Sequence, residues 1–465
     1  MSHHVMDSSR RAFLQRASAL SLAGIATPWA LNLAAMAEAS AATAVDYKAL
    51  VCVFMYGGND YANTIVPYDQ SNYTAYFNLR PTLAYARNLL DATALNPLSA
   101  PVDSAGFARQ YALAPALSPL LPIFNAGRMG ILLNVGTLVQ PTTKDQYLKK
   151  SVALPAHLFS HNDQQSTWQS SSPEGAASGW GGRMGDLFQA GNTNSTFTCI
   201  NVSGNAVFLS GSQAVQYQVT TKGAVPLSGI QSPLFGSKAC SDVLRKLMTQ
   251  PSAHVLHNEY ARVTKRSIDA QAILGSALTD STPLQTTFPP RNNLADQLNL
   301  VAKMISNASA IGVKRQVFFV SMGGFDTHDG LVTKHPGLLK QVADAMAAFY
   351  ASTVELGVAN QVTTFTASDF GRTLSGNSDG SDHGWGSMHF MLGGAVQGQR
   401  IYGTPPAVAS NGPDDVGQGR LIPTTSVDQY AATMGKWLGI SDTNLLTVLP
   451  NLANYNALTR NLGFV

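Results

Sequence analysis

Three polar clusters in this chain carry the residue types that bind metals or move protons. They are Gly323-Gly324-Phe325-Asp326-Thr327-His328, Ala367-Ser368-Asp369-Phe370-Gly371-Arg372-Thr373 and Ser381-Asp382-His383-Gly384. Carboxylate oxygen and imidazole nitrogen together suit zinc, manganese or iron better than calcium or magnesium, which prefer all-oxygen shells. Asp326 and His328 are two residues apart, so in an extended segment both side chains point the same way and reach one ion. The alternative is an Asx-turn, with Asp326 closing the loop and His328 in solvent. Arg372 offers a planar fork for an oxyanion or for an ion pair with a nearby carboxylate. Asp369-Phe370-Gly371 is no kinase signature here, because the chain lacks a glycine-rich nucleotide loop, a strand lysine and a His-Arg-Asp loop in the required order. His383 lies in a stretch too polar to be core and is either a ligand or exposed. His389 opens an apolar run and reads as a packed strand residue. Earlier in the chain, Asp60 ends Gly57-Gly58-Asn59-Asp60 and either joins the same site or closes a turn. His161 opens a polar run to Trp168 and is the candidate to protonate or orient a leaving group.

Such scattered residues meet only if strands deliver them. Arg315 to Met322 and Gln361 to Thr366 are buried-strand runs placed just before Asp326 and Asp369, and Lys48 to Tyr56 precedes Asp60. Open α/β sheets build sites in the crevice beyond their carboxyl edge. Met129 to Gly136 is a further buried strand and His389 to Gly394 a short one. Helical spacing predicts helices over Asn292 to Ala308, His335 to Val358 and Ser426 to Leu438, and a broken helix over Tyr111 to Asn125, where Pro115, Pro119 and Pro122 interrupt it. Alternating strands and helices predict an α/β sandwich with a mostly parallel sheet. Residues from about 140 to 286 are less regular and read as an insertion or cap.

The N-terminus carries a different message. Arg10-Arg11-Ala12-Phe13-Leu14, a mild apolar stretch to Met36 and the small-residue sites around Ala39-Ser40-Ala41 form a twin-arginine export signal over 1–41. The mature domain is then 42–465, periplasmic or extracellular, with the translocation machinery as an early partner. Pro28 and modest hydrophobicity argue against a stable membrane span. A net charge of +3 over 465 residues leaves no electrostatic footprint for nucleic acid. Cys52 and Cys199 read as buried strand residues, a Cys199–Cys240 disulfide is conceivable, and no Cys-x-x-Cys pair exists to hold zinc by thiolates.

Taken in order, Gly57-Gly58-Asn59-Asp60, His161, Gly179-Trp180-Gly181-Gly182-Arg183, Gly324 to His328, Asp369 to Thr373, Asp382-His383-Gly384 and Gly393-Gly394 resemble the bacterial domain-of-unknown-function 1501 family. That family is similar in fold to the alkaline phosphatase and sulfatase superfamily. The resemblance implies a three-layer α/β/α, alkaline-phosphatase-like sandwich and a metal-supported hydrolase ancestry. It further implies one metal on Asp326, His328 and His383 and another on Asp60 and Asp369. Two departures stand out: Phe370 replaces the usual histidine after the second carboxylate, and no Cys-x-Pro-x-Arg nucleophile motif surrounds any cysteine. The expectation is an exported hydrolase of phosphate or sulfate esters, using zinc or manganese, with Arg372 on the anionic substrate and His161 on the leaving group. The rival is a non-catalytic binding or assembly protein that keeps the fold.

Overall fold

The computed structural model describes residues 46–279 and 283–465; the expected export signal over 1–41 lies outside them. The strands run β1 (Lys48–Met55), β2 (Ile65–Pro67), β3 (Tyr111–Leu113), β4 (Met129–Gly136), β5 (Cys199–Asn201), β6 (Tyr217–Gln218), β7 (Arg315–Met322), β8 (Val362–Ser368), β9 (Arg372–Gly376), β10 (Ser381–His383), β11 (Ser387–Gly393), β12 (Arg400–Tyr402) and β13 (Thr425–Ser426). Nine of these form the main sheet, ordered β12-β4-β11-β8-β1-β7-β5-β6 with β13 beside β4. Only β11 runs antiparallel to its neighbours, β4 and β8; every other pairing in this sheet is parallel.

Why β1 reads as an unbroken apolar run follows from its place at the centre. Its side chains alternate between two cores: Ala49, Val51, Val53 and Met55 enter one, and Leu50, Cys52 and Phe54 the other. Helices Asn293–Ser306 and Leu331–Glu355 cover the first face through Leu298, Val301, Val342 and Met346. Helices Trp180–Phe188 and Val427–Leu438 cover the second through Trp180, Met184, Tyr430 and Met434. Each fully buried aliphatic or aromatic side chain of this kind contributes roughly 1.5–3 kcal/mol of transfer free energy. The result is three layers, α/β/α.

Local signals set the helix ends. Asn292 caps its helix by accepting from the Ala295 N–H, and Ser426 and Gln429 form a reciprocal capping box. The helix expected from His335 begins a turn earlier, at Leu331, after Gly330 in the left-handed region at φ 60°. Pro336 falls inside the helix, one turn past its first residues, where it forfeits the N–H bond to the carbonyl four residues earlier. The broken helix expected over Tyr111 to Asn125 begins instead as β3, paired with β2, and is helical only as a short 3-10 turn and over Leu121–Asn125. The irregular stretch from 140 to 286 supplies β5 and β6 to the main sheet and several helices, including Lys238–Thr249 and Val255–Thr279. Cys199 is buried in β5, Cys240 is exposed on a helix, and all three cysteines are free, so the conceivable disulfide is absent. Among the described residues, no helix is long and apolar enough to cross a membrane.

One consequence of the register positions the chemistry. Met55 of β1 pairs with Met322 of β7 on one side and Ser368 of β8 on the other. The three central strands therefore end level, and the loops carrying Asp60, Asp326 and Asp369 leave the sheet side by side.

Candidate metal centre

Gly57 ties the three loops together. Its N–H donates to Asp369 Oδ1 at 3.1 Å, and its carbonyl accepts from Arg372 Nη1 at 3.1 Å. Its φ is +116°, and a Cβ here would stand 2.3 Å from the Asp326 backbone nitrogen. Only glycine allows both the backbone conformation and that approach.

Beyond this junction His161, Asp326 and His383 each offer a donor atom, all within 4.8 Å of one another. His161 Nε2 lies 3.5 Å from Asp326 Oδ2, and His383 Nε2 lies 3.4 Å from Asp326 Oδ1. A tetrahedral ion with bonds of ~2.0–2.1 Å sets its ligands ~3.3 Å apart, close to these two spacings, which run to different oxygens of Asp326. Hydrogen bonds behind the two rings set which nitrogen faces the cluster. Asp369 Oδ2 takes the His161 Nδ1 proton at 2.6 Å, and the Phe159 carbonyl takes the His383 Nδ1 proton at 2.7 Å. Both Nε2 lone pairs are thereby turned to the cluster, the arrangement that metal-bound histidines adopt. His161 Nε2 is buried and has no hydrogen-bond partner. A buried acceptor left without a donor is costly, and a cation removes that cost. The residues present thus fit a divalent ion.

Charge acts on these groups in different directions. The hydrogen bond that His161 donates to the Asp369 carboxylate raises the His161 pKa, whereas burial lowers that of His383. Burial pulls the Asp326 carboxyl upward, but the hydrogen bond and charge of Arg372 outweigh it and hold the group below its usual range. Arg372 Nη1 donates to Asp326 Oδ1 at 2.8 Å.

The remaining residues singled out in the sequence fall around this group in distinct places. His328 Nε2 lies 2.8 Å from His383 Nε2 and 3.2 Å from Asp326 Oδ1, while its Nδ1 meets Asp382 Oδ1 at 3.2 Å. Asp369 is fully buried; its oxygens are taken by Gly57 N–H, His161 and the Gln165 side chain at 2.8 Å. It therefore stands behind the His161 ring and outside the group of donor atoms. Asp60 departs further from expectation. Its carboxylate is clamped by the buried Arg80 at 2.8 and 2.7 Å, receives Ser381 Oγ–H at 2.7 Å and caps Asn63 at 2.9 Å. With four donors on two oxygens, no lone pair is left for a metal. Burial works against ionisation of Asp60, but the charge and hydrogen bonds of Arg80 hold its pKa far below the ordinary carboxylate range. Arg372, expected on an anionic substrate, is likewise fully buried and spends its donors on Ser381, Gly57 and Asp326. It pins Asp326 in place. His389 is a packed strand residue, bonded to Thr366 and edge-on to Trp168.

Two partners were invisible in the sequence. Arg80, in a turn 20 residues from Asp60, carries no local motif. Phe159 offers only a carbonyl, aimed from an unusual φ of +75° for so bulky a residue, a strain of the kind that collects at functional sites. One available signal was the helix His161–Ser170, whose polar residues Gln164, Ser166, Thr167, Gln169 and Ser170 are buried. A polar helix that packs inside must satisfy many hydrogen bonds, and such segments serve sites.

A family model described as protein of unknown function (DUF1501) matches residues 47–450. No curated protein matches the chain. Among solved structures the chain is similar to Ps i-CgsB in complex with k-i-k-neocarrahexaose, with TM-score 0.36 and 10% identity over 88% of this chain and 77% of that one. It is also similar to the lipoteichoic acid synthase LtaP from Listeria monocytogenes, with TM-score 0.32 and 8% identity over 85% and 72%. A third is the PsFucS1 sulfatase from Pseudoalteromonas sp., with TM-score 0.30 and 10% identity over 90% and 73%.

Proposed function

Since the chain belongs to the DUF1501 family, matched over residues 47–450, we propose that it is a hydrolase of phosphate or sulfate esters built around one divalent ion on His161, Asp326 and His383. The observation that carries this reading is the pair of imidazoles whose Nδ1 protons are taken by Asp369 and Phe159, leaving two Nε2 atoms beside one carboxylate. Two nitrogens and one oxygen suit zinc or manganese, and three protein ligands leave a fourth position for water or substrate. A bound divalent ion would supply Lewis acidity towards the ester oxygen and acidify water. One carboxylate against a dication leaves the centre positive, which favours an anionic ester over a neutral one.

The chain's own groups do the rest. Asp369 holds the His161 tautomer, Arg372 holds Asp326, and the Phe159 carbonyl holds His383. His328 is half exposed beside the open position and backed by Asp382, so it is the group we assign to moving a proton to the leaving oxygen or from water. This exchanges the roles that the sequence suggested for His161 and His328. The engagement of Asp60 by Arg80 and of Asp369 by His161 supports one ion, not two.

The same engagement favours a second reading, a binding protein without turnover. Elemental analysis of the purified protein, followed by aryl phosphate and aryl sulfate substrates, separates the two. The hydrolase reading expects about one zinc or manganese per chain and turnover on at least one ester class. It further expects His328→Gln to lower turnover by roughly 10²–10⁴-fold at unchanged metal content. A metal-bearing protein inert on both classes would move the assignment to the binding reading. For location, we propose twin-arginine export to the periplasm or beyond. Arg10→Lys with Arg11→Lys should leave the precursor in the cytoplasm, and normal export of that double variant would refute it.

A further inference from the structure

An anionic ester needs a cationic fork, and Arg372 cannot supply it because it is buried and its donors are engaged. Arg420 approaches the metal-capable group through the backbone of His383. Its Nε donates to the His383 carbonyl at 2.9 Å, and its guanidinium carbon sits 5.1 Å from the centre of the Phe159 ring. Phe159 and His383 are themselves joined through the Nδ1 bond. Among the described residues Arg420 has no ion-pair partner, and its Nη1 and Nη2 groups have no hydrogen-bond acceptor. A guanidinium oriented by its Nε and by an aromatic face, with both terminal amino groups free, is a preorganised receptor for a tetrahedral oxyanion.

The loop that carries it is rigid by construction. The buried Asp415 carboxylate accepts the N–H groups of Asn411, Gly417 and Gly419 at 2.8, 2.6 and 2.8 Å. Gly419 has φ +76° and lies so close to Leu374 that a Cβ would stand 2.4 Å from that side chain's Cβ. Arg420 follows directly, so its backbone is fixed against β9 before any ligand arrives.

We propose that Arg420 is the oxyanion-binding, specificity-determining residue of this site, donating through Nη1 and Nη2 to the nonbridging oxygens of a phosphate or sulfate group. The inference rests on the hydrolase reading above and names the residue that selects its substrate class. It also reassigns to Arg420 the role that sequence alone gave to Arg372.

The test uses the full mature chain loaded with zinc, with inorganic phosphate and inorganic sulfate as separate titrants in calorimetry, and zinc content measured on every sample. Arg420→Gln should weaken binding of the preferred oxyanion by roughly 10- to 100-fold, the range for losing charge-assisted hydrogen bonds. Zinc content should stay at the parent level. Arg420→Lys should recover part of the loss, because it restores charge but not the fork. With an aryl ester, KM should rise more than kcat falls. The titrant bound more tightly by the parent tells phosphate from sulfate. Parent-like oxyanion binding by zinc-loaded Arg420→Gln would overturn the role of Arg420 and leave the metal reading standing. A parent that binds zinc but neither oxyanion would overturn it equally. A parent that takes up no zinc would remove the underlying reading, and this inference with it.

Discussion

Replacing His161 with alanine should abolish high-affinity metal binding while leaving the protein folded. His161 supplies one of three donors, and its Nε2 is the buried atom that lacks any other partner. Changes to groups behind a ligand cost roughly 10–100-fold in metal affinity, so losing the ligand itself should cost at least that. Stabilisation by a ligand follows its occupancy and reaches about 2.7 kcal/mol when free metal is 100 times Kd. The zinc-dependent rise in Tm expected of the parent should therefore shrink or vanish in His161→Ala. Asp369→Asn tests the same wiring from behind. An asparagine amide can donate where the carboxylate could only accept, which favours the His161 tautomer that carries its proton on Nε2. That proton would then occupy the ligand position, and metal affinity should fall by roughly 10–100-fold. His157→Ala is the control, since His157 is exposed and pairs with Asp163 outside the cluster. If His161→Ala and parent showed equal metal stoichiometry and equal Tm shifts, His161 would not be a ligand.

Arg80→Met should produce the largest loss of stability in the chain. Asp60 and Arg80 are both essentially inaccessible to solvent and meet through two charge-assisted hydrogen bonds. Removing one partner of such a buried pair leaves an uncompensated charge and typically costs about 3–5 kcal/mol. Against a total stability of roughly 5–15 kcal/mol, that threatens folding at physiological temperature. The double variant Asp60→Asn with Arg80→Met should recover much of the loss, because the stranded charge is gone. Urea midpoints at constant m would measure both. The pH dependence supplies a sign test. In the parent the Asp60 pKa is depressed, so its contribution is complete above the ordinary carboxylate range and disappears only as pH falls through the depressed value. In Arg80→Met, burial loses its main counterweight, leaving only the Ser381 and Asn63 hydrogen bonds and the more distant His335 against it, and that pKa rises. The deficit relative to parent should then be greatest near neutrality and narrow as the solution is acidified towards pH ~4. A single Arg80→Met variant as stable as the parent at neutral pH would show that the pair is dispensable.

How much of this was legible beforehand depends on the range of the interaction. The cores of β1, β7 and β8 were readable because strands buried on both faces leave continuous apolar runs, and the capped helix starts at Asn292 and Ser426 because capping is a local bond. Asp326 and His383 were legible as chemistry because carboxylate and imidazole in glycine-rich strand-end loops have no packing role. Their assignment to one centre with His161 was not, since it depends on strand order and on Phe159 turning its carbonyl to His383.

The amino-acid sequence by itself determined the layered α/β architecture, the edge at which polar loops would gather and the donor types on offer. Periodicity and composition are sums over near neighbours, and they act before the chain is folded. The tertiary structure decided which carboxylates remain free. Asp60 and Asp369 look as capable as Asp326 in sequence, yet Arg80 engages the first and His161 with Gln165 the second. An acceptor's lone pairs are finite, and which donors reach them first is set by contacts 20 residues away for Arg80 and 208 away for His161, distances at which no local pattern survives.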